Sequence, residues 1–257
     1  MSAIWDETAA MMRREGHLMV PVALATVGIG GMISGITQPE TAAEGLGAIG
    51  LLGFIIGIIT QIVGNLAIIG LALTPGMSVA ESLRLALNRF PKMLAIGGLF
   101  LMALLIMMIP VAAIIKFNGT PISAGMTVQN LSPIALLLIL FIGAVMLFFT
   151  ARLMTLSAMI VDRNPPLFDA IKSSFAATRG IAGKIIGVAL LYFIVTIVIT
   201  GAVGAIAGIL FGMIGKVVGA PLLGKGLTVL VTGLVAALLS IVSSVFAAML
   251  YRKLSAE

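Results

Sequence analysis

The sequence predicts an all-α polytopic membrane protein with six transmembrane helices arranged as three hairpins. Charge-free stretches such as 45–80, 117–151 and 185–215 each exceed the roughly 20 residues that a helix needs to cross a hydrocarbon core of about 30 Å. Hydrophobic residues make up 61% of the chain and charged residues 9%. This balance excludes a soluble domain, in which about 25% of residues are usually charged. A short amphipathic segment precedes every second span, which favours a pairwise arrangement.

Proline-containing breaks at Pro39, Pro75 and Pro165 separate several of the spans, because proline stops one helix and is tolerated at the start of the next. Backbone groups in lipid must be hydrogen-bonded within their own segment, so apolar stretches of this length are expected to be helices. We place the spans, in chain order, at 18–37, 46–73, 92–115, 134–160, 185–214 and 227–250.

The clearest amphipathic segment is Ser78–Phe90, in which Ser78 and Glu81 form a capping box and apolar residues recur at helical spacing. Residues 167–179 and the N-terminal residues also place an acid near the start and a base near the end, which suits the helix dipole. We expect each segment to form a cytoplasmic interfacial helix that precedes one hairpin. The chain is then a single membrane domain, 1–257, with repeat-like units at about 1–75, 76–163 and 164–257.

Six spans put both termini on one side of the membrane. Twelve of the fifteen basic residues fall on that side, and the positive-inside rule makes it cytoplasmic. The net charge of +6 therefore lies beside the membrane, which indicates anionic lipid head groups rather than nucleic acid as the partner. The candidate interfacial lipid contacts are the basic residues of the second and third amphipathic segments: Arg84, Arg89, Lys172 and Arg179.

Arg152 is a charged residue within a predicted span, and a basic group at such depth usually faces the protein interior with a partner. Polar residues on the other even-numbered spans reach a similar level, so the sequence predicts one internal polar layer. Its two alternatives are helix–helix hydrogen bonding without a ligand and a site for an anionic head group or small anion. An ion path is disfavoured, because no predicted span contains Asp or Glu. The candidate residues are Gln61, Asn65, Arg152, Ser240, Ser243 and Ser244.

Glycines in the fifth span follow a small-xxx-small pattern, which permits close approach between helices. Gly204, Gly208 and Gly212 form two consecutive steps of this pattern. The contact could lie within one subunit, between subunits of a homo-oligomer, or with another protein.

Motifs that would specify a reaction are missing from the sequence. His17 is the one histidine, cysteine is absent, and no cluster of His, Asp and Glu has the spacing of a catalytic metal site. Phosphate-binding and nucleophile motifs do not occur in their required contexts. We therefore expect no enzyme activity, no cofactor and no bound metal.

Two segments, Ser78–Pro91 and Arg152–Gly180, resemble the membrane domain at the N-terminus of some bacterial glycerophosphoryl diester phosphodiesterases. Stand-alone six-span inner-membrane proteins are similar. In that pattern an Arg in span 4 is followed by an acidic, proline-containing loop and a helix that begins Asp-Ala-x-x-x-Ser, as here from Asp169. The resemblance implies the six-span fold and a bacterial inner membrane. It carries over no catalytic residue, because the family's soluble metal-dependent barrel has no counterpart in these residues.

Three functions are compatible with these observations. The first is a non-enzymatic module that binds or organises anionic phospholipid, with Arg152 near a head group. The second is a small-molecule or lipid transporter that uses the polar layer around Asn65 and Arg152. The third is a scaffold that assembles a partner protein through the glycine-rich face.

Overall fold

A computed structural model describes residues 2–38, 47–117 and 132–256 of the protein. Every regular element in these ranges is helical, as predicted. A π-helical turn, Leu24–Gly28, joins the first two helices. The α-helices are α1 (Ser2–Ala23), α2 (Ile29–Thr37), α3 (Ala48–Leu73), α4 (Val79–Phe117), α5 (Pro133–Arg152), α6 (Leu156–Arg163), α7 (Leu167–Ala177), α8 (Ala182–Val217) and α9 (Pro221–Ala256).

Six helical stretches of the described chain are long and apolar enough to cross a membrane, and each overlaps one predicted span. By the length and composition of its helices, the chain is a multi-pass membrane protein. The six stretches are Ser2–Thr37, Ala48–Leu73, Val79–Ile114, Pro133–Arg163, Ala182–Val217 and Pro221–Ser255.

The amphipathic segments differ from the prediction in two of the three units. The first continues into its span through α1 and the π-helical turn, and the second continues through Pro91 as part of α4. Pro91 is exposed, so the carbonyl that its missing N–H leaves free lies at the surface of the helix rather than in the core. Only the third segment, α7, forms a helix of its own, because Pro165 and Pro166 precede it and Gly180 follows it at φ 87°.

The fourth span is interrupted, whereas the sequence predicted one helix through 134–160. Helix α5 ends at Arg152, a turn covers 153–155, and α6 begins at Leu156. The Leu156 N–H donates to the Leu153 carbonyl at 2.9 Å across this turn. The interruption places Arg152 at a helix end, where its backbone carbonyl needs a partner from elsewhere in the fold.

The main hydrophobic core lies where the C-terminal halves of α3 and α9 meet α1 and α6. Residues 66–72 of α3 and 244–251 of α9 are buried without interruption. The Trp5 ring of α1 packs on Phe246 of α9, with centroids 4.9 Å apart. By contrast, α8 exposes most of its apolar residues, as expected for a helix that faces lipid or a partner.

Polar contacts connect the segments that meet at each end of the bundle. At one end the Tyr251 hydroxyl donates to Asp162 Oδ2 at 2.7 Å, and the Lys92 ammonium donates to the link between α6 and α7. At the other end the Lys225 ammonium donates to the Gln38 carbonyl at 3.0 Å. The first end carries most of the basic residues of the sequence.

Candidate functional site

The structure divides the predicted polar layer into two groups on different sides of the break in the fourth span. Asn65, Ser243 and Ser244 face a cleft that α6 also lines, whereas the Arg152 guanidinium turns toward α7. The expectation that Arg152 meets Asn65 is therefore corrected. The turn at 153–155 is the physical reason, because it changes the direction of side chains between the end of α5 and the start of α6.

The first group lies in a cleft of about 220 Å³ between α3, α6 and α9. The Ser244 hydroxyl donates to Asn65 Oδ1 at 3.3 Å, which joins α9 to α3. Ser157 of α6 lines the same cleft, although the sequence analysis did not select it. Ser157 could have been predicted from the sequence, because it is a polar residue in the same apolar span as Arg152, five positions later.

Two other members of the predicted layer lie outside this group. Gln61 is exposed and does not line the cleft, although it is one helical turn from Asn65. Ser240 is buried, and its hydroxyl donates to the Ala237 carbonyl of its own helix at 2.7 Å. Ser240 therefore satisfies its hydrogen bond locally and contributes no free polar group to a site.

The second group joins Arg152 to the C-terminal end of α7. The Arg152 Nη1 atom donates to the Phe175 carbonyl at 3.1 Å and to Thr178 Oγ1 at 3.4 Å. A cation at this position suits the negative end of the α7 dipole. The guanidinium carbon also lies 5.3 Å from the ring centroid of Phe148 and 5.7 Å from that of Phe175, within the range of cation–π attraction.

Ser174 connects the same two helix ends in the opposite direction. Its hydroxyl donates to the Arg152 carbonyl at 2.7 Å and lies 3.0 Å from Thr155 Oγ1. Both hydroxyl residues are fully buried. Helix α5 is thus capped by α7 and α7 by Arg152, so the interruption of the span and the position of α7 depend on each other. The sequence did not identify Ser174 or Thr155, because their partner is a backbone carbonyl freed by an unpredicted break.

An apolar cleft of about 190 Å³ lies beside Arg152, between α4, α5 and α7. Its lining includes Phe100, Phe149 and Phe175, which pack edge to face with centroids 5.9 Å apart in successive pairs. Phe175 is shared: its ring lines the cleft, and the Arg152 guanidinium lies over the same ring. A cationic group thus borders an apolar space.

The predicted interfacial bases are mostly exposed. Arg84 of α4, Lys172 of α7 and Arg179 after α7 are open to the surroundings. Arg89 of α4 is half-buried, and its Nε atom is fully buried without a hydrogen-bond partner in the described part of the chain.

The glycines of the fifth span lie on α8, and they are not equivalent. A Cβ atom added at Gly204 would lie 3.6 Å from Thr232 of α9, so this glycine packs inside the subunit. At Gly208 or Gly212 an added Cβ would meet nothing within 4 Å. These two positions are open on the surface of the subunit.

Within residues 2–38, 47–117 and 132–256, no three His, Cys, Asp or Glu side chains come together as they would around a metal ion. The chain matches no family model, and no curated protein and no solved structure is significantly similar to it.

Proposed function

We propose that this multi-pass membrane protein binds an anionic phospholipid without performing catalytic chemistry. One observation carries the proposal: the Arg152 guanidinium lies over the ring of Phe175, and that ring lines an apolar cleft. A phospholipid has the same two parts, an anionic phosphate attached to apolar chains. Arg152 would hold the phosphate, and the cleft would take a segment of one chain.

The hydrogen bonds of Arg152 leave donors free for such a phosphate. A guanidinium carries five N–H donors, and the two bonds to α7 both start at Nη1. The Nε atom is buried without a partner in the described ranges, and an unsatisfied buried donor is costly. A phosphate oxygen could accept a charge-assisted hydrogen bond from Nη2, which makes no bond to α7.

The surroundings of Arg152 favour a lipid over a free anion. The apolar cleft beside it has no polar lining residue, so it offers nothing to a small hydrophilic ion. Exposed bases at the same end of the bundle, Arg84, Lys172 and Arg179, would add attraction to an anionic leaflet, worth about 1 kcal/mol for each residue near the surface.

The proposal also includes the orientation of the protein in the membrane and the membrane that contains it. The basic end of the bundle faces the cytoplasm, with both termini there, according to the positive-inside rule. The spans form three hairpins, and their cytoplasmic amphipathic segments lie in the interface. The resemblance of residues 78–184 to the phosphodiesterase membrane domain points to a bacterial inner membrane.

Native mass spectrometry of the detergent-purified protein tests the role of Arg152. We expect the wild type to retain an anionic phospholipid and Arg152→Gln to lose it, because glutamine keeps polarity but removes the positive charge. A buried charge-assisted contact is worth about 1.5–3 kcal/mol, which predicts roughly a 10- to 100-fold weaker affinity.

Arg179→Gln is the matched control. It removes the same charge as Arg152→Gln, and Arg179 is exposed at the same end of the bundle. Equal lipid loss in both variants would mean that net charge at the surface binds lipid, and the specific site would be rejected. Retention of the lipid by Arg152→Gln would reject it as well.

The transporter alternative was based on a shared layer of Asn65 and Arg152, and their separation weakens it. The scaffold alternative has a specific observation in its favour. Gly208 and Gly212 lie on a largely unburied helix, and a Cβ added at either position would meet nothing within 4 Å, so packing inside the subunit does not require a glycine there. A homo-oligomer or a partner protein could use this face.

Gly208→Leu tests the scaffold role. We expect the variant to fold like the wild type, because a Cβ at this position would meet nothing within 4 Å in the subunit. If the face is an interface, leucine blocks close approach, and cross-linking in membranes shows loss of an oligomer or a partner. Ala202→Leu, on a different exposed face of α8, controls for added bulk. An unchanged cross-linking pattern in Gly208→Leu would exclude this face as a contact.

A further inference from the structure

The cleft between α3, α6 and α9 brings an amide and three hydroxyl groups together within the candidate spans. Asn65, Ser157, Ser243 and Ser244 contribute these groups, and apolar side chains separate them. The lining residues of this cleft include no Asp, Glu, Lys or Arg. The cleft therefore has an apolar wall that carries four uncharged polar side chains.

The hydrogen bonds of these four residues leave part of their capacity unused. Ser244 donates to Asn65 Oδ1, and Ser243 donates to the Ser240 carbonyl of its own helix at 3.0 Å. The Asn65 amide nitrogen, which carries two donors, and the Ser157 hydroxyl have no partner among the described residues. A polar group left without a partner in a bilayer costs several kcal/mol, so another molecule is expected to supply the missing bonds.

The backbone beside the cleft departs from a regular helix. The turn at 153–155 interrupts a transmembrane span, and Met154 in this turn lines the cleft. Non-helical backbone at membrane depth is tolerated where it is buried in protein or lines a water-filled cavity. Met93 of α4 also lines the cleft, and methionine side chains adapt readily to different contents.

We infer that this cleft is a hydrated binding site within the span region for a small uncharged solute that carries several hydroxyl groups. Such a solute accepts from the Asn65 amide, exchanges hydrogen bonds with the Ser157 hydroxyl and donates to the Ser243 hydroxyl, whose own proton goes to the Ser240 carbonyl. The desolvation of an ion disfavours it as the occupant, because no opposite charge lines the site.

The size of the cleft limits the solute. A volume of 220 Å³ holds about seven waters at about 30 Å³ each. It is below the range of about 300–1,000 Å³ that is usual for sites of drug-sized ligands. A linear polyol of a few carbons fits this volume, whereas a disaccharide does not. The site does not rest on the proposed lipid function, because Arg152 is not one of its lining residues.

The chain contains no cysteine, so single-cysteine variants report on the cleft without background. Ser157→Cys and Ser243→Cys, each reconstituted in liposomes, are treated with a membrane-impermeant methanethiosulfonate. We expect modification at least about tenfold faster than in the lipid-facing control Leu238→Cys, because only a hydrated thiol ionises to the reactive thiolate.

Xylitol, a small uncharged polyol, then tests for a ligand. We expect it to slow modification of Ile62→Cys, at a lining residue that gives the solute no hydrogen bond, by the factor 1 + [xylitol]/Kd, while sucrose at equal osmolality has no effect. Modification at the rate of the lipid-facing control in both cysteine variants would overturn the hydrated site. Fast modification that xylitol does not slow would leave water as the occupant and overturn the solute site.

Discussion

Ser174→Ala is expected to detach α7 from the break in the fourth span and to lower the free energy of unfolding by about 2–4 kcal/mol. The change removes the donor to the Arg152 carbonyl and the partner of Thr155 Oγ1, and both of these lie in a buried contact. Each buried group left without a partner costs about 1–3 kcal/mol. Thermal unfolding in detergent measures the loss, and hydrogen exchange of the α7 amides locates it.

Ser173→Ala is the control, because Ser173 is the neighbouring residue on the same helix and is exposed. We expect its effect to stay within about 0.5 kcal/mol, as is usual for surface substitutions. If the two variants unfold alike and α7 exchanges at the same rate in both, the mutual capping of α5 and α7 does not stabilise the fold. Lipid retention separates the role of Ser174 in stability from the role of Arg152 in lipid binding, because Ser174→Ala keeps the Arg152 guanidinium.

The fold was largely predictable from the sequence because it depends on hydrophobic length. Six apolar stretches each had one physical solution, a helix, and all six occur. Helix ends near water were harder to predict. An interfacial helix at Ser78–Phe90 and a separate span from 92 were expected, yet α4 continues through Pro91, which lies on an exposed face of the helix.

The candidate site was predictable in its residue types and not in its arrangement. Counting residues along uninterrupted helices placed Asn65 and Ser244 in one layer, and the Ser244 hydroxyl donates to Asn65 Oδ1. The same counting placed Arg152 beside them. The position predicted for Arg152 was wrong because a three-residue turn interrupts the helix at 153–155. The turn contains no Pro or Gly, and the carbonyl that it frees is bonded by Ser174 on another helix. Interactions between distant residues of this kind leave no local pattern.

Gly30→Ala is the second substitution expected to have a large effect, because α2 and α3 approach each other through glycines. A Cβ at Gly30 would overlap the Oγ1 of Thr60 on α3 and lie 2.8 Å from the Thr60 Cβ. Thr60 cannot rotate away without loss, since its hydroxyl donates to the Ile56 carbonyl at 2.9 Å. Overpacking of this type costs about 1–3 kcal/mol, which thermal unfolding in detergent measures.

Gly31→Ala separates this clash from a general effect of alanine on the helix. Gly31 is the next residue, and a Cβ there meets nothing within 4 Å, so we expect no loss. The double variant Gly30→Ala with Thr60→Gly removes both clashing atoms and should recover most of the stability, with a coupling of about 0.5–3 kcal/mol between the positions. Equal stability of Gly30→Ala and Gly31→Ala, or failure of the double variant to recover, would mean that α2 and α3 do not pack this closely in the membrane. The close approach is a stringent test of the bundle, because lipid offers no hydrophobic force to hold the helices together and the packing itself must do so.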